Sequence, residues 1–242
     1  MTRSIQTVQD LLEMLDGMFA PEADRWTEGG AHWWDRFYAD RGRDVPFFRP
    51  DPDESLVAWH AGGRIAPRAG ARALDLGCGP GRNAVWLAQQ GYAVDAVDLS
   101  PGALDWGRER ADEAGVSVAF RRADIFALQP EAPYDLVVDS GCFHHLPPHR
   151  RISYRELLER ALATGGWFGL SAFATGEMGS EVPDEDLYRH GRLGGGLAYS
   201  DDDLRAGFGW LQELELRRMR QAGPDEAVFG EPFLWVGLFR RT

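Results

Sequence analysis

The chain has 242 residues and an apolar share of 44%, enough for one α/β domain with an accessory segment. Twenty-six basic residues against 38 acidic ones give a net charge of −12, which argues against a nucleic-acid partner. No apolar run is long enough to span a bilayer, and the acid-bearing stretch from Met1 to Phe19 is not a signal peptide. Two cysteines, Cys78 and Cys142, fit neither a zinc site nor a disulfide framework, so no metal is expected and a reducing cytoplasm is the natural setting. Every basic residue is arginine. The absence of lysine excludes Schiff-base chemistry and a P-loop, and it points to a GC-rich genome.

Val8, Leu11, Leu12, Leu15, Met18 and Phe19 recur at helical spacing, with Thr7 or Ser4 as the cap. A short helix is expected over His32 to Asp40, then a proline-broken stretch, then a helix over Glu54 to Ile65 closed by Gly62–Gly63. Residues 1–68 are taken as a helical cap over a main domain at 69–242. From Ala71 the pattern alternates strand and helix, the mark of a parallel sheet. Strands are expected at Arg72–Leu76, Tyr92–Asp98, Ser117–Arg122, Tyr134–Asp139 and Gly166–Ala172. Helices are expected at Arg82–Gln90, Pro101–Ala114 and Pro148–Ala163. Phe173 to Tyr199 reads as a long glycine-rich loop, with Gly194–Gly196 as a hinge. Ser200 caps a short helix, and Leu211–Arg220 with Phe233–Phe239 form a closing hairpin.

The strongest motif is Leu74-Asp75-Leu76-Gly77-Cys78-Gly79-Pro80-Gly81-Arg82-Asn83. Glycines between a strand and a helix let a ligand press on bare backbone, beside a helix end that favours anions. The third glycine comes one position early for the dinucleotide pattern. Asp98, ending the second strand with Leu99 and Ser100 behind it, suits ribose hydroxyls. Asp124, after the third strand, suits an adenine amino group with Ile125 packed on the ring. After the fourth strand come Asp139, Ser140 and the pair His144-His145, on the side where a second substrate would lie. His144 or His145 could serve as base. Asp139 and Ser140 would face the polar end of the first ligand. His149 reads as a surface residue and Cys142 as packing. Trp26, Trp33, Trp34, Phe37, Tyr38, Phe47 and Phe48 form either core or a lid, with Trp34 and Tyr38 the leading lid residues. Arg49 or Arg82 could hold a carboxylate.

These residues resemble the class I S-adenosylmethionine (SAM)-dependent methyltransferases over about Arg72 to Phe173. Gly77 to Asn83, Gly91 to Asp98 and Trp34-Asp35-Arg36-Phe37-Tyr38 look like the tellurite-resistance and thiopurine branch. The tail after Phe173 departs from it. The resemblance implies a Rossmann-like α/β fold with seven strands in the order 3-2-1-4-5-7-6, strand seven antiparallel. It implies SAM as cofactor and a small-molecule, specialised-metabolite acceptor methylated on S, O or N, as in antibiotic biosynthesis, by a monomer or homodimer. Asp75, Gly77, Gly79, Arg82, Asn83, Asp98, Leu99, Asp124, Ile125, Ser140, Trp34 and Tyr38 would contact the cofactor, and Asp139, His144 and His145 would be catalytic. A SAM-assisted cyclisation or rearrangement, a nicotinamide oxidoreductase and a non-catalytic SAM-binding module are the alternatives.

Overall fold

The computed structural model describes residues 4–242, so the first three positions of the expected cap lie outside the described residues. Three helices come first: α1 (Val8–Asp16), α2 (Ala31–Ala39) and α3 (Glu54–Ala61). The alternating part follows as β1 (Arg72–Leu76), α4 (Arg82–Gln89), β2 (Ala93–Asp98), α5 (Pro101–Glu113), β3 (Val118–Arg122), β4 (Tyr134–Ser140), α6 (Arg150–Ala161) and β5 (Leu162–Phe173). The chain closes with α7 (Asp184–His190), α8 (Asp201–Phe208), β6 (Gln212–Arg218) and β7 (Leu234–Arg240). The seven strands form one sheet in the order β3-β2-β1-β4-β5-β7-β6, parallel except for β7, which runs antiparallel to β5 and β6. This is the architecture that the resemblance implied.

Alternate strand residues face opposite layers. Leu74, Leu76, Val137, Phe168 and Leu170 pack towards α6, on Tyr154, Leu157 and Leu158. Ala73, Ala96, Leu136, Val138 and Val236 pack the other way, on Trp59 of α3, Leu87 of α4 and Leu104 of α5. A sheet covered on both faces explains why β1 and β4 read as nearly continuous apolar runs. The parallel strands therefore all end at one edge, where β1, β2 and β4 finish in Asp75-Leu76, Asp98 and Asp139-Ser140.

Thr7 caps α1 in a reciprocal box with Asp10. Helix α3 stops at Ala61, short of the expected Ile65, because the Gly62 amide closes onto Ala58 and Gly63 turns to φ +72°. The stretch from Phe173 to Tyr199 is not structureless. It contains α7, which has Asp184, Glu185 and Asp186 in its first turn, basic residues in its last, and Gly191 left-handed at its end. His149 is a second correction. It is 5% exposed, with Nε2 2.8 Å from Asp16 Oδ1 and Nδ1 2.9 Å from the Tyr188 hydroxyl. Asp16 also accepts from Trp26 Nε1 at 2.7 Å and from Arg150, so one carboxylate ties α1 to α6. Burial opposes its charge, but these bonds hold it down to a pKa of about 2.

Helix α5 can lie close to the sheet because Gly107 has no side chain. A Cβ there would sit 2.7 Å from the Phe120 ring of β3, which is itself 8% exposed. Alanine is the better helix former by about 1 kcal/mol, yet a rigid buried ring cannot yield cheaply. Gly107→Ala is expected to lower unfolding free energy by about 1–3 kcal/mol. Gly107→Ala/Phe120→Leu should recover most of it in urea titrations. A gain in stability from the single change would contradict this packing.

Candidate active site

The turn after β1 is built for close approach. Gly77 and Gly79 take φ +61° and +51°, which L side chains rarely adopt. A Cβ on Gly79 would lie 2.9 Å from the Tyr38 hydroxyl, and one on Gly77 would lie 2.7 Å from Cys142 Cβ. The cradle thus has a roof from α2 and a wall from the loop after β4.

Carboxylates surround it. Asp98 is 8% exposed; its Oδ2 accepts from the Gly79 amide at 2.9 Å and its Oδ1 from the Ser100 amide at 2.9 Å. Burial raises its pKa, offset in part by those amides. Leu99 follows, its carbonyl accepting from Arg122 at 3.3 Å. Asp75 is 2% exposed and burial pushes it up to about 8, against the pull of Arg82. Its Oδ2 is buried and has no hydrogen-bond partner. Such an orphan is costly unless something arrives to meet it. Asp124 accepts from the Phe126 amide at 2.8 Å, and burial raises its pKa. Ile125, beside it, is 7% exposed and belongs to the main core.

Arg82 is 6% exposed and ion-paired with Asp53; its Nη2 donates to Ser140 Oγ at 2.8 Å, and its plane lies 4.1 Å over Phe229. Asn83 uses both ends of its amide on Asp53, accepting from its N–H at 3.0 Å and donating to its carboxylate at 3.3 Å. The side chain expected to touch cofactor is therefore spent on positioning. Arg49 does not reach the cradle group: it pairs with Asp51 at 2.6 Å and donates to the Glu226 carbonyl. Asp53 and Phe229 were missed in the sequence because the first lies just before α3 and the second in the long β6–β7 connection, joined only by a bridge between them.

Asp139 is fully buried. Its Oδ1 accepts from the amides of Gly141, Cys142 and Phe143 at 3.1, 2.8 and 3.2 Å, and its Oδ2 from the Tyr154 hydroxyl at 2.7 Å. Burial still pushes it up to about 6. Fully buried and holding four donors, this carboxylate shapes the loop rather than facing a substrate, contrary to the catalytic expectation.

The two histidines diverge. His144 is 4% exposed and stacked on Phe173 at 3.6 Å, and its Nδ1 accepts from the Phe173 amide at 3.3 Å. Burial, then His145, lower its pKa well below the ordinary value. A neutral ring whose Nδ1 accepts must carry its proton on Nε2, so His144 can donate there but cannot act as a base. His145 meets Trp34 edge-on at 5.0 Å. Its Nδ1 is buried without a hydrogen-bond partner, and the Gly195 backbone favours the protonated ring. Burial, then Arg25, hold its pKa at about 4. It is neutral at pH 7.

The roof is aromatic. Trp34 stacks on Tyr38 at 6.0 Å, Tyr38 on Phe48 at 5.6 Å, and the Trp34 indole donates to the Arg25 carbonyl at 2.9 Å. Asp35, unremarked within its motif, latches this roof to the start of α5 by accepting from Ser100 Oγ and the Gly102 amide. Beyond His145 lies a cavity of about 340 Å³ bounded by residues 20–25 and 192–195. A second, of about 550 Å³, lies behind Phe143, between α6, α7 and α8.

A seven-stranded sheet of this order, with a glycine turn and acids at three strand ends, defines a class I SAM-dependent methyltransferase domain. Residues 73–166 match the family described as "Methyltransferase domain", so this region is a methyltransferase domain of the class I SAM-dependent type, whose cofactor is SAM. It is 39% identical over 120 residues to trans-aconitate 2-methyltransferase of Methylobacterium nodulans, covering 49% of this chain and 42% of that one. The chain spans about half the length of the curated relatives that it matches. A solved structure described as "Conversion of a Disulfide Bond into a Thioacetal Group during Echinomycin Biosynthesis" is 28% identical, with a TM-score of 0.63, over 87% of this chain and 93% of that one. TehB from Haemophilus influenzae shares the fold at 19% identity and a TM-score of 0.58, over 78% of this chain and 62% of that one. The residues present fit the cofactor: three of the five positions of the turn, Gly77, Gly79 and Gly81, carry no side chain, and the unbonded Asp75 oxygen suits its ammonium group.

Tyr154→Phe keeps the ring but takes one bond from the buried Asp139 carboxylate. Stability should fall by about 1–3 kcal/mol in chemical denaturation. An unchanged midpoint would mean the bond is not part of what holds the loop.

Proposed function

We propose that this chain methylates a heteroatom, S, O or N, of a small specialised metabolite, with residues 1–68 acting as the cap and 69–242 as the SAM-binding domain. The observation that carries the reading is the buried, unbonded Asp75 oxygen beside a glycine cradle whose neighbouring strands end in Asp98 and Asp124. Bound SAM supplies an electrophilic methyl group on a sulfonium. Asp98 accepts from the ribose hydroxyls and Asp124 from the adenine amine, with Ile125 against the ring. Leu99 flanks the same nucleoside. Gly77 and Gly79 admit the amino-acid half, Asp75 receives its ammonium, and Arg82 with Ser140 faces its carboxylate. Trp34 and Tyr38 close over the top and exclude water.

His145 is the residue that can take a proton from the acceptor, through its free Nδ1. Its low basicity suits a hydrogen bond that orients a nucleophile and receives its proton as charge is lost. His144 and Asp139 position that loop. The acidic surface gives no support to a nucleic-acid acceptor, and no helix among the described residues is long and apolar enough to cross a membrane. A cytoplasmic monomer or homodimer fits this reading.

A second reading is a sulfur-centred rearrangement. What favours it is the 28% identity, over nearly the whole of that chain, to the protein of the thioacetal conversion. S-adenosylhomocysteine formed one-for-one with a methylated product supports methyl transfer; a product with no added methyl supports the rearrangement.

The cofactor site predicts a pH dependence. Asp75 must ionise to meet an ammonium, so with an unliganded pKa of about 8 it releases a proton on binding. Affinity for S-adenosylhomocysteine should therefore rise between pH 6 and 7.5, by up to about tenfold per pH unit. Calorimetry in buffers of different ionisation enthalpy reads the released proton directly. Asp75→Asn should bind more weakly and lose the slope. A slope that persists in the variant, or no binding by the wild type, would remove the cofactor assignment.

Acceptor chemistry is tested at the histidines. His145→Ala should lower kcat by about tenfold or more with little change in S-adenosylhomocysteine affinity, within the range for a general base. Unaltered turnover would return His145 to scaffolding.

A further inference from the structure

We propose that the 340 Å³ cavity beside His145 holds the acceptor, and that the acceptor presents a carboxylate or similar flat oxyanion to Arg25. The inference rests on the methyltransferase reading and names the substrate class of its second site. The volume lies within the range of small-molecule pockets.

Charge decides the ligand. Arg25 and Arg192 line the cavity against one acid, Glu22. Arg25 is already oriented. Its Nη1 donates to the backbone carbonyls of Glu22 and Asp24 at 2.8 and 2.7 Å, and its plane lies 3.8 Å over Trp33. Those bonds use one nitrogen. Nε and Nη2 have no partner among the described residues, and no carboxylate there lies within ion-pair distance of either arginine. Two adjacent N–H groups of a fixed guanidinium match a carboxylate edge. Burial also lowers the Arg25 pKa, as expected of a cation lacking a full counter-charge.

The larger cavity makes the contrast. Its Arg151 is closed off by both oxygens of Asp184, at 2.7 and 3.0 Å, and by the Tyr199 hydroxyl. In a chain of net charge −12, cations left free at one cavity are a local feature that the overall field opposes. Position completes the case. The Trp34 indole is bonded to the Arg25 carbonyl, its edge meets His145, and its stacking partner Tyr38 lies on Gly79. An acid anchored at Arg25 thus has its body against His145, one aromatic layer from the glycine turn.

The test uses full-length protein saturated with S-adenosylhomocysteine, probed by ligand-observed NMR with matched pairs: benzoate and benzamide, salicylate and salicylamide. Each acid should bind about tenfold tighter than its amide, the worth of one charge-assisted contact. Arg25→Ala should erase the preference and Arg25→Lys retain part of it, with S-adenosylhomocysteine affinity unchanged in both. Arg192→Ala, on an exposed residue, should weaken the acids several-fold and controls for misfolding at Arg25. Equal affinity for acid and amide, binding of neither, or a preference that survives Arg25→Ala overturns the proposal. Failure of the wild type to bind S-adenosylhomocysteine, with the acid preference intact, would instead overturn the methyltransferase reading and leave the anion pocket standing.

Discussion

The site is governed by an excess of buried carboxylate. Asp53, Asp75, Asp98 and Asp139 all lie at the carboxyl edge of the sheet, none more than 8% exposed, and the one buried cation among them is Arg82. Taking that much negative charge out of water is costly unless each group is paired or well hydrogen-bonded. The fold meets the cost unevenly. Asp53 takes Arg82, Asp139 takes three amides and a tyrosine, and Asp98 takes two amides. Asp75 is left with an oxygen that nothing reaches. Its raised pKa expresses the same imbalance: in the folded chain this carboxyl keeps its proton up to about pH 8. A ligand that brings positive charge to this edge relieves the imbalance, whereas a pyrophosphate would worsen it. That is the electrostatic reason why the early third glycine and the strand-end acids belong with a sulfonium cofactor rather than a dinucleotide.

The N-terminal segment is bound to the sheet domain by polar contacts between residues far apart in the chain. Asp35 grips the start of α5, Asp16 grips His149 and Arg150 at the start of α6, and Tyr38 rests on Gly79. Asp16 gathers four bonds from three side chains, and its depressed pKa measures how firmly they hold the charge. Because those partners head α5 and α6, the cap is registered against the same helices that follow the ligand-bearing strands.

Much of this was legible in the sequence, for identifiable reasons. The strands were readable because a doubly covered sheet demands apolar runs, and the cradle because glycines between strand and helix have few other uses. Strand ends fell within about a residue for β1, β3 and β4, where burial stops abruptly. Helix α7 was missed because seven residues carry too little periodicity, although its acidic start and Gly191 were there to be read. His149 was misplaced because its partner, Asp16, lies far away in the chain, and no local pattern announces a contact of that range. Asp53 was unreadable for the same reason: its meaning comes from Arg82 and Asn83 on α4 and Ser171 on β5.

The adjacent histidines show what only three dimensions decide. Both are neutral, both follow β4, and the sequence offers no ground for choosing between them. A single backbone amide, from Phe173, fills Nδ1 of His144 and so fixes its proton on Nε2. In His145 the corresponding Nδ1 has no partner, and the Gly195 backbone works against the burial that lowers its pKa. The second effect depends on the 192–195 loop, which also borders the cavity holding Arg25 and Arg192. The loop thereby acts on the candidate base and helps wall the space in front of it. Burial first, and Arg25 after it, depress the pKa of that base and keep it unprotonated at pH 7. On the methyltransferase reading, a neutral acceptor of protons stands between an edge built for a cation and a pocket left open to an anion.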